Sequence, residues 1–443
     1  MGPIERYGAL FRAAEAGRQG RDEPRWLAET RRAAFERFAA LGFPASRLED
    51  WRFTNVAPIA EATFTAPTNG TRSFSARTAL ARAVAIEPSP HHLIFVNGRY
   101  APELSRLDRL PAGAMVGSLA AALRANAAML EPLLARQAPY QDQAFVALNT
   151  AFVDDGVLVH LPDGAVVDQP ILVVFVSLPE GGPSVAHPRV LIVAGARSRA
   201  AVVESYIAAD GAAGYFTNAV TEVVLGADAT LEHCKLQWES REAFHVATLA
   251  ARQARGSRLA CHSVSVGGAL VRNDAIARLD GEGADCLLNG LYLAAGAQHV
   301  DNHTVIDHIG THSTSLETYK GVLGGTAHGV FSGRIVVRPD AQQVVARQTN
   351  KNLLLSEDAV VNTTPQLEIN ANDVKCYHGA TVGMLDDDAL FYLRSRGLDR
   401  EAARAMLVQG FMSDVVAGIG IAPVRARLEA AVAGWLPGRA ADA

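Results

Sequence analysis

The chain has 443 residues, of which 49% are hydrophobic and 20% are charged, and its formal net charge at pH 7 is -5. This balance is typical of a folded protein and excludes a disordered or collagen-like chain. The small net charge predicts no nucleic-acid partner. At roughly 150 residues per domain, the length indicates about three structural units.

The cysteine pattern and the apolar runs bear on where the protein works. Four cysteines occur without a CxxC pair, which predicts neither a disulfide framework nor a self-contained zinc finger: Cys234, Cys261, Cys286 and Cys376. The N-terminal segment MGPIERYGALFRAAEAG is charged where a signal peptide is apolar. The longest apolar runs, such as ILVVFVSL, are much shorter than the roughly 20 residues that cross a bilayer. We therefore expect a cytoplasmic protein without a membrane partner.

Residues 1–145 are predicted to form a helical N-terminal region with one short hairpin. Between residues 5 and 41, apolar residues recur at helical spacing in a background of alanine and arginine. The Asn97-Gly98 pair within HHLIFVNGRY favours a tight turn between two short strands. A further helix rich in alanine and leucine is expected over about residues 115–137.

Residues 146–375 are predicted to form a core of strands. Valine, threonine and isoleucine alternate with polar residues, and breaks recur about every 14 to 17 residues, with two short strands fitted into many intervals. The breaks fall at Gly256, Gly267, Glu282, Gly296, Gly310, Gly324, Asp340, Glu357 and Asn372. This regularity suits a solenoid whose ends are covered by other structure, but a sandwich or barrel also fits the pattern.

Residues 376–443 are predicted to return to helix. LDDDALFYLRSRG has aspartates at its start, arginines at its end and a glycine after it, as the helix dipole favours. Asp399 is the expected N-cap of the next helix, whose apolar face is predicted to comprise Ala403, Met406, Leu407, Phe411 and Val415. A third helix begins at Pro423. This thin bundle has more apolar face than it can bury, so part of it should dock on the solenoid or on another protein.

Several common catalytic motifs are missing from the sequence. It contains no GxxxxGK[ST] loop, no GxGxxG after a strand, no GxSxG and no HExxH. The usual machinery of nucleotide binding, serine hydrolysis and zinc proteolysis is therefore not expected. If the process needs ATP, another subunit must hydrolyse it.

Histidines are concentrated in HVDNHTVIDHIGTH. On a strand, residues two or four apart share a face, so four histidines together with Asp301 and Asp307 form a candidate metal site: His299, His303, His308 and His312. The simpler interpretation is that these are polar residues on solvated strand faces and turns.

A second candidate site is Cys376 and His378 in DVKCYHGATVG. The two residues have the same parity, so on a strand they point to one side and make half of a metal site. The other cysteines lie far upstream, so further ligands would come from a distant coil, a second chain or sulfide. Two other interpretations stay open, namely a nucleophile with its base and a buried cysteine beside a capping histidine.

The region around this second site resembles a known family. Residues 333–398, GRIVVRPDAQQVVARQTNKNLLLSEDAVVNTTPQLEINANDVKCYHGATVGMLDDDALFYLRSRGL, resemble the signature of the SufB/SufD family of iron–sulfur cluster assembly proteins. HVDNHTVIDH, YKGVL and the N-terminal EDWRFTNV support the resemblance. Within the family the chain is more similar to SufD, since Leu393 stands where SufB-like chains tend to have cysteine and the turn reads HGATVG.

The resemblance implies a right-handed parallel β-helix between helical regions, and a subunit that is not itself an enzyme. It implies pairing with a SufB-like subunit through the β-helix and binding of a SufC-like ATPase through the C-terminal helices. The expected ATPase-docking residues are Leu390, Phe391, Tyr392, Leu393, Met406 and Phe411. A nascent iron–sulfur cluster would form at the interface, with His378 as a ligand and Cys376 as its less defined neighbour.

We expect no cofactor to be tightly bound by the isolated chain, which could instead form a homodimer. The competing hypothesis is a metal-dependent enzyme on a β-helix or cupin-like barrel, which would use His299, His303, His308 and His312.

Overall fold

A computed structural model describes residues 2–20, 23–66, 89–178, 182–209, 212 and 214–435. The helices are α1 (Pro3–Ala16), α2 (Arg25–Leu41), α3 (Ala57–Glu61), α4 (Leu119–Leu130), α5 (Ala144–Phe152), α6 (Asp387–Ser395), α7 (Arg400–Ala417) and α8 (Ala422–Gly434). Short 3-10 helices lie at Glu49–Trp51 and Pro102–Leu104.

The strands are β1 (His91–Val96), β2 (Arg99–Tyr100), β3 (Arg106–Leu107), β4 (Met115–Ser118), β5 (Gly156–Leu161), β6 (Ile171–Ser177), β7 (Val185–Ala186), β8 (Arg189–Ala194), β9 (Arg199–Ala208), β10 (Phe216–Leu225), β11 (Thr230–Trp238), β12 (Phe244–Gln253), β13 (Arg258–Ser265), β14 (Leu270–Leu279), β15 (Asp285–Ala294), β16 (His299–His308), β17 (Thr314–Leu323), β18 (His328–Val337), β19 (Val344–Leu354), β20 (Val360–Ile369) and β21 (Val374–Met384).

Two mainly parallel sheets face each other and form a β-helix, with antiparallel pairs only where β2 and β3 meet β1 and where β4 meets β5. Sheet 1 has the order β2-β1-β6-β9-β11-β13-β15-β17-β19-β21, and sheet 2 has the order β20-β18-β16-β14-β12-β10-β8-β5-β4. Successive strands of the main body alternate between the sheets, so each coil gives one strand to each. The solenoid alternative is therefore confirmed, and the sandwich and barrel alternatives are wrong.

The coil length explains the spacing of breaks in the sequence. Leu270, His299 and His328 are register partners on β14, β16 and β18, so one coil is about 29 residues long here. The predicted interval is half a coil. It holds one strand of up to 11 residues rather than the two short strands expected from the sequence.

The main core fills the lumen between the two sheets. Alternate residues of each strand point inward, and their apolar side chains form one continuous cluster along the β-helix. Aromatic rings need space across neighbouring coils. A Cβ on Gly290 would lie 2.1 Å from the ring of Tyr319, and one on Gly321 would lie 2.3 Å from that of Tyr292. Each glycine thus accommodates a buried tyrosine on the adjacent strand of sheet 1.

The N-terminal region contains helices and the predicted hairpin. Asn97 and Gly98 have positive φ and join β1 to β2, whose register partners include Val96 and Arg99. The helix expected over residues 115–137 is shorter and is kinked at Asn126. The aromatic side chains of α1 and α2 pack with Phe145 of α5 and Phe216 of sheet 2, so these helices cover sheet 2.

The C-terminal helices begin later than residue 376, because β21 continues to Met384. The predicted caps are present. The side chain of Asp386 accepts from the backbone N–H groups of Asp388 and Ala389, and that of Asp399 accepts from Ala402 at 2.7 Å. Within the described residues, no helix is long and apolar enough to span a membrane.

Helices α7 and α8 pack on the outer face of sheet 1, as the surplus apolar face predicted. The buried side of α7 comprises Ala403, Val408, Met412, Val415 and Val416, whereas Met406 is 54% exposed. The predicted face of α7 was therefore wrong for Met406. On sheet 1, Lys320 Nζ donates to the Phe411 carbonyl at 2.7 Å and to Asp414 at 2.6 Å, which holds α7 on the β-helix.

Candidate functional site

The β-helix ends in two edge strands. β21 is the last strand of sheet 1 and β20 is the last strand of sheet 2, so each is paired on one side within the described residues. These two strands carry exposed apolar side chains: Val360, Ile369, Tyr377, Val382 and Met384. An unpaired, apolar strand edge is a template for pairing with another chain. This end of the molecule is therefore a candidate protein interface.

Cys376 and His378 lie on β21, at this open end. Their register partners on β19 are Ala346 and Gln348, so both side chains are on the lumen side of the last coil, as their parity predicted. Cys376 is partly buried against the cluster that contains Val344 and Ala346. His378 is exposed. The structure thus brings the two predicted ligands to one face at the edge of a sheet.

The environment of Cys376 does not activate it as a nucleophile. Burial raises the pKa of the Cys376 thiol, so the thiol form is favoured at neutral pH. A metal ion would displace the thiol proton. Within the described part of the chain, no group of three or more His, Cys, Asp or Glu residues could hold a metal ion. Cys376 and His378 thus do not belong to such a group within the described residues, and their role as ligands stays a prediction.

Two buried polar residues lie next to His378 along sheet 1, namely Gln348 and Glu317, and the sequence did not predict their contact. Gln348 is the register partner of both His378 and Glu317. Gln348 Nε2 donates to Glu317 Oε2 at 2.7 Å, and both side chains are buried. Burial raises the pKa of Glu317 to about 7. A carboxyl group that titrates near neutrality thus lies two coils below the end of the lumen.

Within the described residues, the candidate ligands in HVDNHTVIDHIGTH do not form a group of three or more that could hold a metal ion. His299, Asp301 and His303 do share a face, but Asp301 is already paired, since Arg272 Nη1 donates to it at 2.5 Å and Thr54 donates to it at 2.5 Å. The Thr54 hydroxyl also lies 2.8 Å from His299 Nε2. Burial lowers the pKa of His299 to about 4, so its ring is neutral at physiological pH.

The other two histidines of that motif do not join them. His308 is buried on β16, with its ring nitrogens 2.8 Å from Ser313 Oγ and 2.9 Å from Ser315 Oγ. His312 lies in an exposed turn with φ 58°. His308 and His312 therefore lie apart from the network that Asp301 forms with Thr54, His299 and His303.

Arg272 joins two motifs that lie far apart in the sequence. Its guanidinium lies over the ring of Trp51 at 4.4 Å and donates to the Asp50 carbonyl at 2.8 Å. Asp50, Trp51 and Thr54 belong to EDWRFTNV, whereas Asp301 belongs to HVDNHTVIDH. The two motifs thus form one joint between the N-terminal region and sheet 2.

A polar cluster deep in the lumen was also missed. Glu204, His233, Lys235 and Cys261 line a cavity of about 40 Å³. His233 Nε2 lies 2.8 Å from Glu204 Oε1. Burial lowers the pKa of His233, but hydrogen bonds with Cys261 and Glu204 outweigh this effect and raise it to about 10. Strand parity places these residues inside, but nothing in the sequence indicates that they meet.

The expected ATPase-docking residues fall into two groups. On α6, which has no buried residue, Phe391 is 72% exposed and Tyr392 is 56% exposed, with Leu390 and Leu393 partly covered. Met406 on α7 is also exposed. Phe411 instead packs against the β-helix, where Lys320 Nζ lies 4.8 Å from the centre of its ring. The free apolar surface is therefore on α6 and Met406.

These features define a parallel β-helix with helical flanks and an open end that carries a cysteine and a histidine. The family model "SUF system FeS cluster assembly, SufBD core domain" matches residues 176–411, and "SufBD protein N-terminal region" matches residues 1–173. The chain therefore belongs to the SufBD family of iron–sulfur cluster assembly proteins.

Named relatives agree with this assignment along nearly the whole chain. The chain is 32% identical over 418 residues to the iron-sulfur cluster assembly SufBD family protein of Synechocystis. This alignment covers 92% of the chain and 90% of the relative. It is 29% identical to SufD of Escherichia coli, with 90% of each covered. It is 26% identical to SufD of Bacillus subtilis, with 92% and 93% covered. The expected resemblance to SufD is confirmed.

Proposed function

We propose that this chain is a non-catalytic subunit of the SUF scaffold that assembles and transfers nascent iron–sulfur clusters. It pairs with a SufB-like subunit through the open end of the β-helix and binds a SufC-like ATPase through its C-terminal helices. The observation that carries the proposal is the position of Cys376 and His378 on the free edge strand β21. All four cysteines are free, which suits a cytoplasmic, reducing location.

The open end suits assembly at an interface because the site is incomplete within one chain. His378 supplies an imidazole nitrogen and Cys376 supplies sulfur, and both types of ligand bind iron in clusters. The cluster is cargo, so ligands shared with a partner and sulfide would allow it to leave when the interface changes. The apolar side chains of Tyr377, Val382 and Met384 would be buried by the partner.

Replacing His378 with alanine in the assembled complex is expected to reduce cluster formation by about 10-fold or more, because a ligand is lost at the interface. The measurement is the rate at which the cluster chromophore appears during reconstitution with iron, sulfide and ATP. The matched control is His312→Ala, which removes an exposed histidine from a turn of the same β-helix. Equal rates in His378→Ala and in the unmodified complex would disprove the ligand role.

Replacing Phe391 and Tyr392 with aspartate is expected to weaken binding of the ATPase subunit by about 10-fold or more, because exposed aromatic anchors carry much of the energy of such contacts. The measurement is the dissociation constant for the purified ATPase. The control is Leu316→Asp, which changes an exposed apolar residue of β17. If the aspartate variant binds the ATPase as tightly as the control does, α6 is not the docking helix.

A further inference from the structure

The residue beneath His378 carries a further inference, which rests on the proposed ligand role of that histidine. On sheet 1, Glu317, Gln348 and His378 are register partners in three consecutive coils, and all three are on the lumen side. We call them the Glu317–Gln348–His378 row. The side chain of Gln348 is therefore next to that of His378 across the last strand pair, at the usual interstrand spacing of about 4.8 Å.

The side-chain amide of Gln348 uses only one of its two polar atoms in a hydrogen bond within the described part of the chain. Its Nε2 donates to Glu317 Oε2 at 2.7 Å, whereas its Oε1 is buried and has no hydrogen-bond partner in the described part of the chain. A buried amide oxygen without a donor is unfavourable and rare in folded proteins. The free acceptor lies in the row that ends at His378.

Among the neighbouring residues on β19, Gln348 is the one whose polar side chain is in register with His378. The register partners of Cys376 and Ala380 on β19 are Ala346, which has no polar side chain, and Asn350, which donates to the Tyr319 carbonyl at 3.2 Å. Across the lumen, a Cβ on Gly333 would lie 2.3 Å from Gln348 Nε2. Glycine at that position thus leaves room for the amide.

We propose that Gln348 is a positioning residue for His378: its Oε1 accepts the N–H of one ring nitrogen and leaves the other nitrogen free to bind iron at the interface. Glu317 fixes the orientation of the amide, since its carboxylate takes the Nε2 donor. A neutral imidazole has one N–H and one lone pair, so the hydrogen bond at one nitrogen decides which nitrogen is free for a metal. Ligand histidines commonly have such a second partner.

The test is the tautomer of His378 in the isolated chain, measured from the two ring nitrogen shifts in ¹⁵N NMR spectra at pH 8. His378→Gln identifies the signal. We expect one dominant tautomer in the unmodified protein. In Gln348→Met, which keeps the length of the side chain but removes its acceptor, we expect a mixture. Lys351→Gln, an exposed change on the same strand, is the control and should keep one tautomer.

An unchanged tautomer in Gln348→Met would overturn the inference, and so would a mixture in the unmodified protein. In the assembled complex, Gln348→Met should slow cluster formation by about 10-fold, within the range for partners of metal-ligating histidines. The two hypotheses fail separately. Full cluster formation with His378→Ala would disprove the ligand role, whereas the NMR result alone decides whether Gln348 holds the ring.

Discussion

Replacing Arg189 with methionine is expected to lower the free energy of unfolding by about 3–5 kcal/mol, because it leaves a buried carboxylate without its cation. The Arg189 guanidinium donates to Glu222 at 2.5 Å, and both side chains are buried. It also donates to Asn149 Oδ1 at 3.0 Å and to Thr150 Oγ1 at 3.1 Å, both of which lie on α5. The pair therefore joins α5 to sheet 2.

Glu222 also binds backbone N–H groups, which increases the loss of stability expected for Arg189→Met. Its carboxylate accepts the backbone N–H groups of four consecutive residues after α4: Ala135, Arg136, Gln137 and Ala138. These donors orient the connection between α4 and α5. Loss of Arg189 would leave this carboxylate with backbone donors but no compensating positive charge in a buried site.

Urea titrations of the Arg189→Met variant measure the loss. The control is Arg199→Met, which breaks an exposed ion pair with Asp168 and should cost less than about 1 kcal/mol. The double variant Arg189→Met/Glu222→Gln should be less destabilised than the sum of its two single variants, because both changes act on one network. Equal losses for Arg189→Met and Arg199→Met would show that the buried pair contributes little.

Local features of this protein are predictable because they depend on neighbouring residues. The caps at Asp386 and Asp399, the hairpin at Asn97-Gly98 and the shared face of Cys376 and His378 all follow from residues close in sequence. The sequence predicted only half of the coil length, because strands of both sheets show the same alternation of apolar and polar residues. A half-coil therefore looks like a full repeat. The sequence pattern thus does not show which strand pairs with which.

Contacts between coils and between regions were not predictable. Thr54 meets His299 and Asp301 across about 245 residues, and Arg272 reaches Asp301 from the neighbouring coil. No local period encodes such contacts, which depend on the register of the stacked coils. The prediction of the buried face of α7 was wrong for Met406 for a related reason. Which side of α7 is buried depends on how the helix lies on sheet 1, and its position leaves Met406 exposed.

Replacing Glu317 with glutamine is expected to stabilise the protein at pH 8 by as much as about 3 kcal/mol relative to its effect at pH 4.5. Burial raises the pKa of Glu317 from 4.5 to about 7 in the folded protein. Between these values the unfolded chain has lost the proton that the folded protein still holds. The contribution of Glu317 to stability is therefore present at low pH and is lost as the pH rises to about 7.

Glutamine does not titrate, and it keeps a carbonyl that can accept from Gln348 Nε2, so the variant should escape this loss. The measurement is the difference in free energy of unfolding between variant and unmodified protein, from urea titrations at pH 4.5, 6 and 8. Glu357→Gln, at an exposed glutamate of the same β-helix, is the control and should give a much smaller change in this difference with pH. A constant difference for Glu317→Gln would show that the pKa of the Glu317 carboxyl is not raised in the folded protein. In that case Gln348 would face a charged carboxylate at both pH 6 and pH 8, and the orientation of its amide would not change between them.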